Sequence, residues 1–132
     1  KSIRVARAFS DPPMNLLPAS AASIGVTLAA GVSLSVPLPT QATGTLTIGV
    51  RASALRVRQR PGDLALPGTV ELAEISGSDT FVHAATPVGE VVAQLTGVHQ
   101  FELGTAVTLY LDPAQVYVFD ANGELLVAPG GD

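Results

Sequence analysis

Apolar side chains alternate with polar or small ones in three stretches of the first 50 residues, and this pattern constrains the fold most. A period of two residues places every second side chain on the same face, as in a half-buried β-strand. No segment keeps the helical period of 3.6 residues over twelve positions, so the chain is predicted to consist of short strands. The alternating positions are Ile24, Val26, Leu28, Val32, Leu34, Val36, Leu38, Leu46, Ile48 and Val50.

Turn-forming residues separate further strands along the second half. Residues 77–79 (Gly-Ser-Asp), 87–89 (Pro-Val-Gly) and 121–123 (Ala-Asn-Gly) are typical of tight turns, and a single helical turn is expected near Pro113. Many short strands with Gly and Pro turns indicate an all-β barrel or sandwich. The segments predicted as strands are residues 45–51, 68–75, 80–86, 90–95, 106–111 and 115–120.

Charge is divided between the two halves of the chain. All seven basic residues and a single acid, Asp11, lie in the first 60 positions, which carry +6, whereas the other ten acids give residues 61–132 a charge of −10. An acidic surface repels phosphate backbones, and the two Tyr and four Phe offer few platforms for base stacking. No nucleic-acid partner is therefore expected.

Residues 12–50 carry no charge, which raises the question of a membrane span. A spanning helix needs about 20 predominantly apolar residues, but Pro18, Pro37 and Pro39 interrupt this stretch. It is predicted to form strands, and it is neither a transmembrane helix nor a signal peptide.

Motifs for catalysis are absent from the sequence. The 132 residues contain no cysteine, no G-x-x-x-x-G-K-[ST] phosphate loop and no G-x-S-x-G motif. His83 and His99 lack the close spacing of metal ligands. Glu71 and Glu74, three apart on a predicted strand, are expected on opposite faces and make a poor acid–base pair. Neither enzyme activity nor a metal site is expected.

Arg56, Arg58 and Arg60 alternate with uncharged residues, which predicts three guanidinium groups on one face of an extended segment. Two interpretations remain open. The arginines form a solvated strand face that protects a sheet edge, or they form an anion site or pair with carboxylates in the barrel or across a dimer. The acids considered for such pairing are Glu71, Glu74 and Asp79.

Four segments resemble, in order and spacing, the region that follows the nucleotide-binding domain in the ATPase subunits of carbohydrate-type ABC importers. Residues 10–17, SDPPMNLL, are similar to the family pattern S-x-P-x-M-N, and residues 48–55 to G-[IV]-R-P-E-x-[LI]. Residues 68–83 resemble G-x-V-x-x-[VL]-E followed by G-x-[ED]-T-x-[VI]-H, and residues 107–124 resemble the closing segment of the family.

The second of these segments departs from the family pattern. Its arginine is matched by Arg51, but Ala52 and Ser53 stand where the family has Pro-Glu, so a contact made by that carboxylate is lost or moved. The candidate interface or regulatory residues are Arg51, Arg56, Arg58, Arg60, Glu71, Glu74, Gly77, Ser78 and Asp79.

The resemblance implies the regulatory domain of a maltose or glycerol-3-phosphate importer ATPase, an OB-like and molybdate-protein-like (MOP-like) β-barrel called the TOBE region. Residues 1–11 would be the trailing end of the ATPase domain, with a short helix, and residues 12–132 the regulatory domain. The implied partners are a second ATPase subunit in a homodimer and membrane permease subunits, at the cytoplasmic face of the bacterial inner membrane. ATP and Mg would be cofactors of the full-length protein, with none in this stretch.

Two functions of different classes follow from these observations. The first is a non-catalytic regulatory and dimerisation domain of an importer for sugars, polyols or glycerol phosphate. In some members of the family that it resembles, this domain also binds an inhibitory protein. The second is the sensing of a small ligand, an anion or solute, because related barrels of other importers bind oxyanions or amino acids. The S-A-R-N-type oxyanion motif is missing, which argues against molybdate but not against other ligands.

Overall fold

The computed structural model describes residues 14–23, 25–39 and 44–129. The short helix predicted within residues 1–10 lies outside this part of the chain. Eleven strands occur in the described part, and they confirm the predicted all-β class. In chain order they are β1 Met14–Ala21, β2 Val26–Leu28, β3 Ser33–Leu34, β4 Thr45–Arg51, β5 Leu55–Arg56, β6 Leu64–Ser76, β7 Asp79–Thr86, β8 Gly89–Thr96, β9 Ala106–Leu111, β10 Val116–Phe119 and β11 Leu125–Val127.

Helical structure among the described residues is limited to three 3-10 turns, at Ala29–Gly31, Ala52–Ala54 and Pro113–Gln115. The last of these confirms the helical turn predicted near Pro113. No helix in the described part of the chain has the length and apolar character that a membrane crossing requires.

The strands form two antiparallel sheets that take members from distant parts of the chain. The first has the order β11-β10-β4-β1-β2-β3, and the second has the order β5-β9-β6-β7-β8. In the second sheet the two end strands, β5 and β8, lie against each other. This sheet therefore curls into a nearly closed barrel, as predicted.

The core lies where the inner faces of both sheets meet. Leu46, Ile48 and Val50, which alternate along β4, are at most 1% exposed, and Leu109 and Leu111 of β9 are fully buried. Full burial of a side chain of this size contributes about 1.5–3 kcal/mol. The period-two pattern thus predicted correctly which side of β4 faces the core.

The alternation from Val32 to Leu38 predicts a strand over residues 32–38, and the observed strand is shorter. It pairs only at Ser33–Leu34, although Val36 is 4% exposed and belongs to the core. Pro37 and Pro39 have no N–H to donate to a ladder, so the chain continues without strand pairing. The alternation there reflects burial rather than pairing.

Strand β6 contains a β-bulge that the sequence did not predict. Its register with β7 shifts between Val70 and Leu72, so Glu71 is the extra residue. A bulge inserts one residue and shifts the alternation that follows. Glu71 and Glu74 are consequently both exposed on the outer surface, and the prediction that they lie on opposite faces was wrong.

Candidate functional site

The arginine segment lies at the seam of the barrel, where β5 meets β8. Only Arg56 belongs to a strand, because the chain bends after it and carries Arg58 and Arg60 in a loop. The prediction of three guanidinium groups on one extended face was therefore wrong. All three arginines nevertheless line a single cleft of about 340 Å³. The other residues that line it are Ser53, Leu55, Val57, Gln94, Leu95, Thr96 and His99.

Asp63 holds the arginine loop in its bent shape. Its Oδ1 accepts a hydrogen bond from Arg56 Nη2 at 2.8 Å, and its Oδ2 accepts one from the Arg60 backbone N–H at 2.8 Å. The hydrogen bond from Arg56 is the main cause that lowers the pKa of Asp63. Arg56 Nη1 also donates to the Arg58 carbonyl at 2.9 Å, so both ends of the loop are fixed.

Ion pairing of the arginines differs from the sequence hypothesis. Arg56 pairs with Asp63 of its own loop, and none of the three acids considered above is its partner within the described residues. Arg58 and Arg60 are exposed, and no carboxylate in the described part of this chain lies within ion-pair distance of either. Pairing with a carboxylate of the same chain thus occurs for Arg56, but with Asp63, and the choice of Glu71, Glu74 or Asp79 as partners within the barrel was wrong. Pairing across a dimer stays a prediction.

Glu74 has a partner on the neighbouring strand β7, and Glu71 has one on β8, the strand beyond it. Glu74 Oε1 lies 3.6 Å from His83 Nε2. A hydrogen bond with Glu90 and the repulsion between the two carboxyl groups raise the pKa of Glu71. These contacts place both acids outside the arginine cleft, and no group of three or more ligating side chains among the described residues could hold a metal ion.

An apolar groove of about 660 Å³ crosses the outer face of β6, β7 and β8. Ile75, which lines it, is 54% exposed, and Leu72, which is outside the lining, is 43% exposed. Exposed apolar surface of this kind, rimmed by polar residues, marks contact sites on proteins. The groove is lined by Glu74, Ile75, Ser76, Phe81, His83 and Val92.

Gly77 and Ser78 form the two-residue turn between β6 and β7. Gly77 has φ +62°, and glycine at the first central position is typical of the type II′ hairpin turn.

The buried Thr80 hydroxyl donates to the Gly97 carbonyl at 2.8 Å and accepts from the His99 N–H at 2.9 Å. These contacts anchor the loop that carries His99 to the cleft.

Gln94 connects the cleft to Asp79. Its Nε2 donates to Asp79 Oδ2 at 2.7 Å, whereas its Oε1 is buried without a hydrogen-bond partner among the described residues. Buried acceptors without a donor are uncommon because their desolvation is not compensated. His99 Nε2, which faces a carbonyl and must donate, lies 2.9 Å from the Thr96 oxygen.

Arg51 belongs to a different cluster, on the outer face of the first sheet. Its Nε donates to the Tyr117 hydroxyl at 3.1 Å, and its guanidinium carbon lies 5.5 Å from the centre of that ring. Tyr117 and Phe119 stack with their ring centres 6.4 Å apart. Arg51 does not line the arginine cleft, so the structure does not bring all four predicted arginines together.

Asn15 is a residue whose role the sequence analysis missed. Its Nδ2 donates to the carbonyls of Val50 at 3.1 Å and Val92 at 2.9 Å, and its Oδ1 accepts from the Val92 N–H at 2.7 Å. The side chain therefore joins the first sheet to the edge strand β8. The sequence did contain the Met-Asn pair of the family pattern, but nothing in that pair indicated that Asn15 would bind Val92.

The comparisons with known proteins agree with this architecture. The TOBE domain family matches residues 48–119. The cytoplasmic molybdate-binding protein ModG, solved with molybdate bound, is similar in fold with a TM-score of 0.64 at 15% identity, covering 79% of this chain and 94% of that one. This likeness confirms the predicted OB-like, molybdate-protein-like barrel.

Two curated relatives are ATP-binding proteins of importers. The alpha-glucoside transport ATP-binding protein AglK of Rhizobium meliloti is 33% identical over 129 residues, which is 91% of this chain and 35% of that protein. The sn-glycerol-3-phosphate import ATP-binding protein UgpC of Paracoccus denitrificans is 36% identical over 118 residues, 88% of this chain and 33% of that protein. The chain thus spans about a third of the length of these relatives and matches their C-terminal portions. It belongs to the TOBE domain family.

Proposed function

We propose that this chain is the non-catalytic, C-terminal regulatory domain of the ATP-binding subunit of an ABC importer for sugars, polyols or glycerol phosphate. The observation that carries the proposal is the identity of 33% and 36% to the corresponding third of two importer ATP-binding proteins. On this proposal, residues 1–11 are the trailing end of the ATPase domain and residues 12–132 the regulatory domain. ATP and Mg are bound by the remainder of the full-length subunit.

The domain acts by pairing with a second copy of the subunit in a homodimer, while the ATPase domains contact the membrane permease subunits. The exposed apolar groove beside Leu72 and Ile75 supports such a contact, because exposed apolar area is stabilised when a partner covers it. The complex lies at the cytoplasmic face of a bacterial inner membrane, with this subunit as its peripheral part. No nucleic-acid partner is proposed.

The test compares the chain alone with the full-length subunit. We expect no ATP binding or turnover by the 132-residue chain and turnover by the full-length subunit with its permease. Deletion of the domain from the full-length subunit should leave hydrolysis measurable but change its control by substrate or by dimer contacts. ATP turnover by the isolated chain, or unchanged transport control after the deletion, contradicts the proposal.

A second candidate function is the sensing of a small anion or solute, or of an inhibitory protein partner. The arginine-lined cleft favours the anion, because Arg58 and Arg60 line it without forming an ion pair with a carboxylate in the described part of the chain. The presence of molybdate in ModG is a property of that protein, and at 15% identity it supports the fold alone.

A further inference from the structure

Strand β6 extends beyond its neighbour β9 and is open on that side near its end. Strand β9 pairs only with the first part of β6. Val70 then bonds the chain just before β9, donating to the Thr105 carbonyl at 2.9 Å and accepting from the Gly104 N–H at 2.8 Å. After the bulge, β7 is the only described strand that pairs with β6. We call this last stretch, residues 72–76, the β6 edge.

The main-chain groups of Ala73 and Ile75 point to the open side of the β6 edge. Asn15 bonds both the N–H and the carbonyl of Val92, so these groups face away from His83, which lies opposite on β7. The direction alternates from residue to residue in antiparallel strands, so His83 bonds its partner on β6 and the next residue, Ala73, faces outward. Ile75 does the same. Within the described residues, no main-chain group pairs with either of them on that side.

Apolar side chains accompany these unpaired main-chain groups. Leu72 is 43% exposed and Ile75 is 54% exposed, and they lie on opposite faces of the β6 edge because side chains alternate along a strand. An extended peptide that adds to such an edge gains main-chain hydrogen bonds, and its alternate side chains cover apolar surface on both faces. The β6 edge therefore has the two features that strand addition requires.

The surroundings of the β6 edge are acidic. Strands β6, β7 and β8 contain four acids and no lysine or arginine. The side chain of Glu74, on the edge itself, is 60% exposed, and the nearby carboxyl groups of Glu71 and Glu90 repel each other. Opposite charges that face each other across two strands stabilise the pairing. The edge therefore favours a strand that places lysine or arginine opposite Glu74.

A second copy of this chain suits the same edge poorly. If two copies paired about a two-fold axis, Ala73 of each would bond Ile75 of the other, and Glu74 would lie directly opposite the same residue of the second copy. Like charges in that position destabilise an antiparallel pair. The charge of the edge thus selects against self-pairing and for a basic partner.

We propose that the β6 edge binds an extended, positively charged segment of another protein, which adds to the sheet as a strand antiparallel to β6. The main chain of that segment pairs with Ala73 and Ile75, a lysine or arginine faces Glu74, and apolar side chains cover Ile75 and Leu72. This inference goes beyond the proposed function. It concerns the edge of the sheet, whereas the proposed dimer contact concerns its outer face.

The experiment adds a blocked peptide of alternating valine and lysine to the isotope-labelled 132-residue chain at constant ionic strength, because added salt screens exposed charges. NMR follows the main-chain amides. We expect saturable shifts at Ala73 and Ile75, and hydrogen exchange of both amides slowed by about tenfold or more as they become bonded. Tyr117, on the other sheet, should show no change.

Two further peptides separate strand pairing from charge attraction. A peptide with glutamate in place of lysine should bind about fivefold more weakly, because like charges then face each other. A lysine peptide that is N-methylated at the positions facing β6 keeps its charge but cannot donate to the edge. It should bind about tenfold more weakly or worse.

Variants of the protein test the charge of the edge. Glu74→Lys should reverse the preference, so that the glutamate peptide binds more tightly than the lysine peptide. Glu124→Lys changes the net charge by the same amount at an exposed turn of the first sheet and is the matched control. It should keep the preference of the wild type. Melting curves of both variants are measured alongside, so that unfolding is not mistaken for lost binding.

Three outcomes would overturn the inference. The first is the absence of saturable shifts at Ala73 and Ile75 with the lysine peptide, and the second is equal binding of the lysine peptide and its N-methylated form. The third is slower exchange of these two amides when the protein concentration alone is raised, which assigns the edge to a second copy. Sedimentation of the same samples reports on the proposed dimer separately, so the two failures are distinguishable.

Discussion

The Asn15 side chain forms two hydrogen bonds with the main chain of Val92, donating to its carbonyl at 2.9 Å and accepting from its N–H at 2.7 Å. If another strand lay beside β8, it would form these same two hydrogen bonds with the Val92 carbonyl and N–H. Strand β8 is the edge of its sheet, and an unpaired edge is open to pairing with other chains. One amide side chain therefore protects the middle of this edge and links the two sheets.

Replacement of Asn15 by alanine should destabilise the protein. The variant Asn15→Ala removes three hydrogen bonds and leaves main-chain groups of Val50 and Val92 without this partner. The expected loss is about 1–3 kcal/mol in the free energy of unfolding, measured by urea denaturation. Asn15→Asp keeps an acceptor for the Val92 N–H but places a carboxylate oxygen against the Val50 and Val92 carbonyls, so it should also be less stable than the wild type. An unchanged denaturation midpoint in Asn15→Ala would show that the contact contributes nothing.

Substitution of Glu71 should stabilise the protein at neutral pH. The pKa of Glu71 is raised by Glu90, so the folded state favours the protonated carboxyl group. This contribution is fully present below the unfolded pKa and is lost as the pH rises through the folded one. Glu71→Gln should therefore melt at a higher temperature than the wild type at pH 7.

The stabilising effect of Glu71→Gln should shrink toward pH 4, where the wild-type carboxyl group takes up a proton. Glu90→Gln is the matched control and should give a similar gain, since it removes the other member of the repulsive pair. The double variant should gain little beyond either single one. A gain of Glu71→Gln that persists at pH 3 contradicts this account.

Asp63 should show the opposite dependence on pH. Its pKa is lowered by Arg56 and by the Arg60 N–H, so the ionised carboxylate stabilises the folded loop. This stabilisation is present above the unfolded pKa and is lost as the pH falls through the lower folded value. Asp63→Asn should therefore melt below the wild type at pH 7, with a difference that begins to shrink below the ordinary pKa of 3.8 and disappears only below the lower folded pKa.

The control for Asp63→Asn is Glu102→Gln, an exposed acid outside the loop. It should change the melting temperature little at either pH, because it removes one negative charge without removing an ion pair. Equal effects of the two substitutions would mean that total charge, and not the Arg56 contact, determines the response to pH.

Self-association should depend on the apolar groove. Sedimentation of the wild type at high concentration is expected to show dimers, and Ile75→Lys should shift the population to monomers because it places a charge beside the groove. Leu103→Lys is the matched control, since Leu103 is 65% exposed and lies outside the groove lining. A wild type that stays monomeric at all concentrations contradicts a self-sufficient dimer contact.

The parts of the fold that could be predicted are those with a local cause. Ile48 faces the core because its neighbours in sequence set the period of two, and Gly77 occupies a tight turn because of its own backbone freedom. The bulge at Glu71 has no such signal, since it depends on how β6 registers against β7. The sequence therefore predicted the strands better than the side-chain directions after the bulge.

The sequence predicted which arginines belong to the candidate site but not how the chain arranges them. Arg56, Arg58 and Arg60 do share one cleft, but the bend after Arg56 removes the strand that was expected to align them. Asp63 binds two parts of that bend, and Gln94 meets it only because β5 and β8 lie together in space. The approach of Gln94 joins residues far apart in sequence, which no local pattern announces, whereas the Asp63 contacts span only seven and three residues.

The seam between β5 and β8 has a mechanical consequence. Within the described residues, these end strands touch but share no ladder of main-chain hydrogen bonds. The barrel is therefore open along one line. Separating β5 from β8 breaks only side-chain contacts, and the main-chain hydrogen bonds between the other strands of the sheet stay intact. Because local opening follows the least stabilised contacts, the circumference of the barrel is most readily altered at the line where the three arginines lie.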